Sequence, residues 1–197
     1  MAADASTVPD EVEAIPGDSG VWFFICADMA TFALFFLFFS LERMGNVGVF
    51  EASRQQLHLG LGLANTLILL TSGAFMAHAT RKARGGDWEG ARTALLLTLA
   101  SGSLFAVTKL VEWGMKVEQG ISLSTNGFFI YYFALTGIHF LHFIIGVGVL
   151  AVLIARCRRD LPQAERLRWI EAGGAYWHMV DLLWIVLFAM LYLQAAA

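Results

Sequence analysis

The sequence predicts an all-α integral membrane protein: a single bundle of five transmembrane helices with the N-terminus inside and the C-terminus outside. Three observations carry this. Of 197 residues, 58% are hydrophobic and only 15% are charged, a composition outside the soluble globular norm. The apolar residues gather in five blocks, each close to the roughly 20 residues that a membrane helix needs. The lysines and arginines between the blocks fall on one side. With the N-terminus inside, the inner connections hold Arg81, Lys82, Arg84, Arg92, Arg156, Arg158, Arg159, Arg166 and Arg168, and the outer ones only Arg43, Arg54 and Lys116. Nine against three sets the orientation by the positive-inside rule.

Residues 1–19 form an acidic cytoplasmic tail with prolines and no basic residue. They lack the positive, then apolar, pattern of a secretory signal. Residues 20–194 form the membrane domain. Its first span, about Gly20 to Leu41, holds one charge, Asp28. The second, about Gln56 to Thr80, carries His58, Asn65, Ser72 and His78. The third, about Ala91 to Lys116, carries Lys109 and Glu112, and the fourth, about Phe128 to Ala155, carries His139 and His142. The fifth, about Ala172 to Gln194, carries His178 and Asp181. Short connections make successive helices antiparallel neighbours in one bundle. Gly60, Gly62, Gly137, Gly146, Gly148, Gly173 and Gly174 are candidates for close helix contacts. Trp177 and Trp184, seven apart on one face, read as packing. Cys26 and Cys157 read as small buried thiols rather than a disulfide or redox pair.

An ionisable side chain at mid-membrane costs on the order of 2.5–3.5 kcal/mol unless protein surrounds it, so these residues need partners. Asp28 has two readings: a carboxyl bonded to a neighbouring helix, or a proton-handling group. Lys109 and Glu112 stand three apart and can pair directly, with lipid-headgroup binding as the functional rival. His139 and His142 share a face of the fourth helix, and His178 and Asp181 share a face of the fifth. Interhelical hydrogen bonding accounts for all four. The alternative is a metal-dependent membrane enzyme built on a His139/His142/His178/Asp181 cluster, but the spacings HFLH and HMVD match no paired Glu-x-x-His box.

Other chemistries are absent from the sequence. It has no glycine loop for phosphate, no GxSxG elbow and no HExxH box. All three prolines lie outside the spans, so no broken helix marks a transporter site. A net charge of −3 and the lack of a basic, aromatic-interleaved patch argue against nucleic acid as a partner.

Five segments together resemble the haem–copper oxidase subunit III family: WFFICADMATF, LANTLILLTSG, KLVEWGMKVEQGIS, FFIYYFALTGIHFLHFIIGVG and YWHMVDLLWIVLFAMLYL. The TGxHxLH and YWHxVDxxW signatures, in this order, carry the resemblance, which extends from Trp22 to Leu193. It implies a non-catalytic accessory subunit of a respiratory complex, multi-pass in the bacterial inner membrane. Such a subunit has no cofactor of its own, with haem and metal in the partner catalytic subunit I. It binds phospholipid in a cleft between its helices and supports proton uptake. On this resemblance Lys109, Glu112, His139, His142, His178 and Asp181 form the polar framework or lipid cleft, and Asp28 is the proton-handling candidate. Many oxidase relatives carry glutamate near Asp28 and glutamine at Lys109. With the KxVEW and WHMVDLLW wording, these departures make the chain most similar to the accessory subunits associated with nitric oxide reductase.

Overall fold

The computed structural model describes residues 19–158 and 161–193. The acidic tail, apart from Ser19, lies outside the described residues, as does Gln194 at the expected end of the fifth span. Six α-helices follow in order: α1 (Ser19–Gly45), α2 (Val47–Arg54), α3 (Leu59–Arg84), α4 (Trp88–Glu118), α5 (Gly127–Arg156) and α6 (Gln163–Phe188). A π-helical turn, Ala189–Leu193, continues α6. Five of these helices are long and apolar enough to cross a membrane.

The sequence did not mark α2. At eight residues it is too short to span, and it carries Glu51 and Arg54. It is held by its apolar side: Phe50 stacks edge-on against Phe39 of α1 at 5.4 Å and Phe128 of α5 at 5.6 Å. The Ser53 hydroxyl accepts a hydrogen bond from the side-chain amide of Asn126, whose side-chain oxygen Oδ1 caps α5 by accepting from Phe129 N–H. The boundary at the fifth span also moves. α6 begins at Gln163, nine residues before the expected start, because the charged segment QAERLRW is helical without being apolar. Ion pairs and cation–ring contacts fasten this extension. Arg156 meets Glu165 at 3.2 Å and lies over Trp169, Arg166 lies over Trp88, and Arg84 meets Glu171 at 2.9 Å.

The turn between α3 and α4 is tight because Gly86 takes a φ of 77° and Asp87 caps α4 by accepting from Gly90 N–H at 2.8 Å. These charged segments gather α3–α4 and α5–α6 connections at one end of the bundle, called here the basic end. The helix α2 lies at the other.

The centre of the bundle is α6. Two-thirds of its most apolar stretch, 67%, is buried against other helices, whereas for α1 the share is 11%, so α1 is the peripheral element. Trp177 makes the central contact of α6. A Cβ placed on Gly102 of α4 or Gly146 of α5 would stand 2.9–3.0 Å from its ring, so two glycine notches receive one indole. Gly62 similarly admits Phe188 and Tyr192, and Gly173 admits Leu153. Close approach through small residues is how membrane helices gain packing without a hydrophobic drive. Of the glycines expected at contacts, Gly60, Gly137 and Gly148 have nothing within 4 Å, while Gly73 and Gly102, unmarked by sequence, sit in tight ones. Cys157 is buried as expected, but Cys26 lies exposed on the outer side of α1.

Candidate functional site

Three polar centres sit between the helices. The first is closed. Lys109 and Glu112 of α4, three residues apart, pair at 3.0 Å and are both fully buried. The ammonium also donates to the hydroxyls of Tyr132 on α5, at 3.3 Å, and Tyr192, at 3.2 Å. Tyr192 in turn donates to the second carboxylate oxygen of Glu112 at 2.5 Å. The rings of Tyr132 and Trp184 face the ammonium at 4.7 and 5.2 Å. Three donor directions of the lysine are thus matched, and the charge is neutralised in place. The π turn helps build this cage: its wider geometry carries Tyr192, and Arg54 of α2 donates to the Tyr192 carbonyl at 3.1 Å. Nearby, Lys116 folds inward onto the Gln56 carbonyl.

The second centre joins α1 to α5. His142 Nε2 lies 3.1 Å from Asp28 Oδ1, and His142 Nδ1 lies 2.8 Å from the Ile138 carbonyl. A carbonyl can only accept, so Nδ1 carries a proton. One further proton must then lie between Nε2 and Asp28. Imidazolium with carboxylate, or neutral histidine with carboxylic acid, both satisfy the contact, and both leave the pair neutral overall. Tyr176 of α6 donates to the His142 carbonyl at 3.0 Å. The other Asp28 oxygen is buried and has no hydrogen-bond partner among the described residues.

His139 stands apart from both. Its Nε2 donates to the Val180 carbonyl of α6 at 3.0 Å, with Phe105 and Trp184 against its ring.

The third centre is open. His178 and Asp181 of α6 face α3 across Gly73, with 4.0 Å between His178 Nδ1 and Asp181 Oδ2. The Asp181 side chain is 9% exposed and that of His178 is 47% exposed.

The four residues of the metal-site alternative therefore do not converge. His139 is spent on a backbone carbonyl, His142 on Asp28, and His178 and Asp181 on a different helix boundary. No group of three or more His, Cys, Asp or Glu side chains suited to a metal occurs among the described residues. The arrangement does not favour the metalloenzyme reading.

A family model described as cytochrome c oxidase subunit III matches residues 17–196, almost the whole chain. The chain belongs to that family. Among its relatives, quinol oxidase subunit 3 of Bacillus spizizenii is 31% identical over 178 residues, 89% of this chain and 85% of the relative. Cytochrome c oxidase subunit 3 of Synechocystis is 30% identical over 88% of this chain and 74% of its own length. A heme–copper oxidase subunit I+III of Aeropyrum pernix is 29% identical over 89% of this chain, which covers 22% of that longer polypeptide. The chain is thus a subunit III of the haem–copper oxidases and a multi-pass membrane protein.

For this subunit III chain, sequence spacing identified the Lys109–Glu112 and His178–Asp181 pairs because each lies within one helix turn. It missed Tyr132, Tyr192 and Arg54, and the pairing of Asp28 with His142, which are separated by 114 residues. One usable signal was present: Tyr132 precedes Thr136 by four residues and His139 by seven, on the same face of α5. Two further helix ties also escaped, Asn65 with Thr108 and Thr66 with Trp184.

Proposed function

We propose that this chain is a non-catalytic accessory subunit of a respiratory complex in the bacterial cell membrane, bound to a catalytic subunit I that holds the haem and metal. The family match over residues 17–196 carries this reading. Its support in the chain is the use of polar residues. Lys109 and Glu112 close on each other and on tyrosines of other elements, His139 donates to the Val180 carbonyl and His142 meets Asp28, which is a framework rather than a reaction centre. The fused I+III relative supports subunit I as the partner.

The finer features of the reading rest on different residues. The wording around Asp28, Lys109 and Trp184 favours a complex that reduces nitric oxide, with an oxygen-reducing cytochrome c or quinol oxidase as the second reading, favoured by the names of the relatives. The excess of lysine and arginine in the connections that the sequence assigns to the inner side supports a cytoplasmic basic end and N-terminus. Phospholipid binds beside α1 and α6 at the basic end. There, a cavity of about 300 Å³ is lined by Val21, Glu165, Arg168, Trp169 and Ala172. Glu165 is paired with Arg156, and Arg168 supplies a cation beside an interfacial ring and an apolar wall. Proton uptake is supported through Asp28, whose free oxygen and shared proton with His142 suit a group that exchanges protons with the catalytic subunit.

A pull-down in mild detergent tests the reading, with a visible spectrum, mass spectrometry and lipid analysis of the eluate. Haem absorbance with a large polytopic subunit is expected. Ligand-binding spectra and turnover of that partner with oxygen or nitric oxide then decide the substrate. A colourless chain recovered alone from membranes that contain such a complex would refute the accessory role.

A further inference from the structure

The groove at the third polar centre is unfinished. It runs between α3 and α6 and is floored by small residues, Gly73, Ala74 and Ala77 on α3 and Gly174 on α6. Two adjoining cavities of about 300 and 390 Å³ follow it. Into it points Asp181, only 6% exposed, whose Oδ1 has no hydrogen-bond partner among the described residues. The adjacent His178 is half exposed and, at 4.0 Å, too far for a good hydrogen bond to the carboxylate.

Depth decides what can complete this site. Gly73, which touches Asp181, stands fourteen residues from one end of α3 and eleven from the other, so roughly 17–21 Å from each mouth at 1.5 Å per residue. That is near the middle of a hydrocarbon layer about 30 Å thick. Facing lipid, a half-exposed histidine beside an aspartate with an unmatched oxygen would be costly at this depth, because acyl chains offer no hydrogen bond. A phospholipid headgroup cannot descend so far while its chains stay in the layer. A second copy of this chain fits poorly, since a two-fold contact would set concave groove against concave groove. A convex transmembrane helix with a polar side chain meets both demands, because small residues admit its backbone and the carboxylate accepts its donor.

We propose that a transmembrane helix of the haem-bearing catalytic subunit docks in the α3/α6 groove and donates a hydrogen bond to Asp181. The inference rests on the accessory-subunit reading and adds which face meets the partner.

Photocrosslinking in native membranes tests it, using a benzophenone-bearing residue placed singly at Leu70 or Leu182 on the groove rim. Leu34 on α1, Leu104 on α4 and Ile144 on α5, all exposed on other faces, serve as comparison positions. Adducts with the haem subunit at the two rim positions, and lipid adducts at the other three, are expected. Haem-subunit adducts confined to the comparison positions would overturn the docking face while leaving the accessory role standing. Rim adducts with phospholipid alone, or with a second copy, would overturn it equally. Failure to recover any haem subunit with the unmodified chain would instead remove the accessory role, and this inference with it. As a second measurement, Asp181→Leu should lower retention of the haem subunit about tenfold, as loss of one buried polar contact predicts. The isolated variant should melt no lower than the unmodified chain. Retention unchanged in Asp181→Leu would overturn the proposal.

Discussion

The Lys109 cage and the Asp181 groove are built from similar materials and end in opposite states. Each centres on an i, i+3 pair of ionisable residues on one helix, inside a bundle that crosses a membrane. In the cage, two tyrosines from other elements close over the pair, and the charged groups have no exposure at all. In the groove, glycine and alanine supply the facing wall, so no donor reaches Asp181 Oδ1 and His178 stays open. The cage is completed by this chain alone. The groove needs something from outside. In a medium without water, a pair matched on every side differs from a pair left unmatched beside a groove, although single unmatched atoms also occur in the packed interior, at His139 Nδ1 and Trp177 Nε1.

Breaking the cage should give the largest effect. Glu112→Ala leaves the Lys109 ammonium buried without its counter-charge and Tyr192 without its acceptor. Removing one member of a buried pair costs about 3–5 kcal/mol. The expected outcome is low yield and a strongly lowered melting temperature of the purified subunit in detergent. The double variant Lys109→Met/Glu112→Leu removes both charges and should recover most of that loss, because no unmatched ion remains. A double variant as unstable as Glu112→Ala would show that the ion pair itself, rather than its balance, holds the helices.

Second in size are the notches that seat Trp177. Gly146→Leu drives a branched side chain into space where even a Cβ would stand 3.0 Å from the indole. Overpacking of this kind costs about 1–3 kcal/mol and should lower the melting temperature. Gly148→Leu, two residues along the same helix, has nothing within 4 Å and should leave it unchanged. Equal effects of the two would argue that α5 and α6 do not meet as described.

This contrast also explains what the sequence could and could not reveal. The number and approximate position of the five long apolar helices were legible because hydropathy marks such blocks directly, whereas the short α2 was not. Contacts within one turn, such as Lys109 with Glu112, were legible for the same geometric reason. Which glycine is a notch was not, because Gly146 and Gly148 differ only in the face they occupy. Contacts across the bundle were not either, since Tyr132 and Tyr192 reach Lys109 only once three helices have their relative rotations. The charged start of α6 escaped because its stability comes from Arg156, Glu165 and Trp88, not from apolar periodicity.

Asp28 lies between the two extremes, with one oxygen on His142 and the other unmatched. Asp28→Asn keeps a shape-matched side chain whose amide can donate to a neutral His142 Nε2. Assembly should be retained, with a stability change below about 1 kcal/mol, the size of one net hydrogen bond. If Asp28 handles protons, turnover of the complex should fall while co-purification and melting stay normal. Loss of the complex in Asp28→Asn would make the residue part of the framework, like the cage.

Asp87 gives the smallest effect and sets the scale for the others, because it is a carboxylate with partners but in water. Its lone ion-pair partner among the described residues, Lys82, and the Gly90 N–H hold its carboxyl below the ordinary value of 3.8, with the backbone hydrogen bond the larger cause. The folded state therefore binds this proton more weakly than the unfolded state. Its contribution is fully present above the ordinary value and fades as the pH falls through the lowered folded one. Asp87→Ala should cause only a slight drop in melting temperature at neutral pH, because solvent competes for every partner of an exposed cap. The drop should vanish in strong acid, where the unmodified chain has also lost the interaction. A drop as large as that of Glu112→Ala would mean that the α3–α4 turn, rather than the buried cage, governs the stability of the bundle.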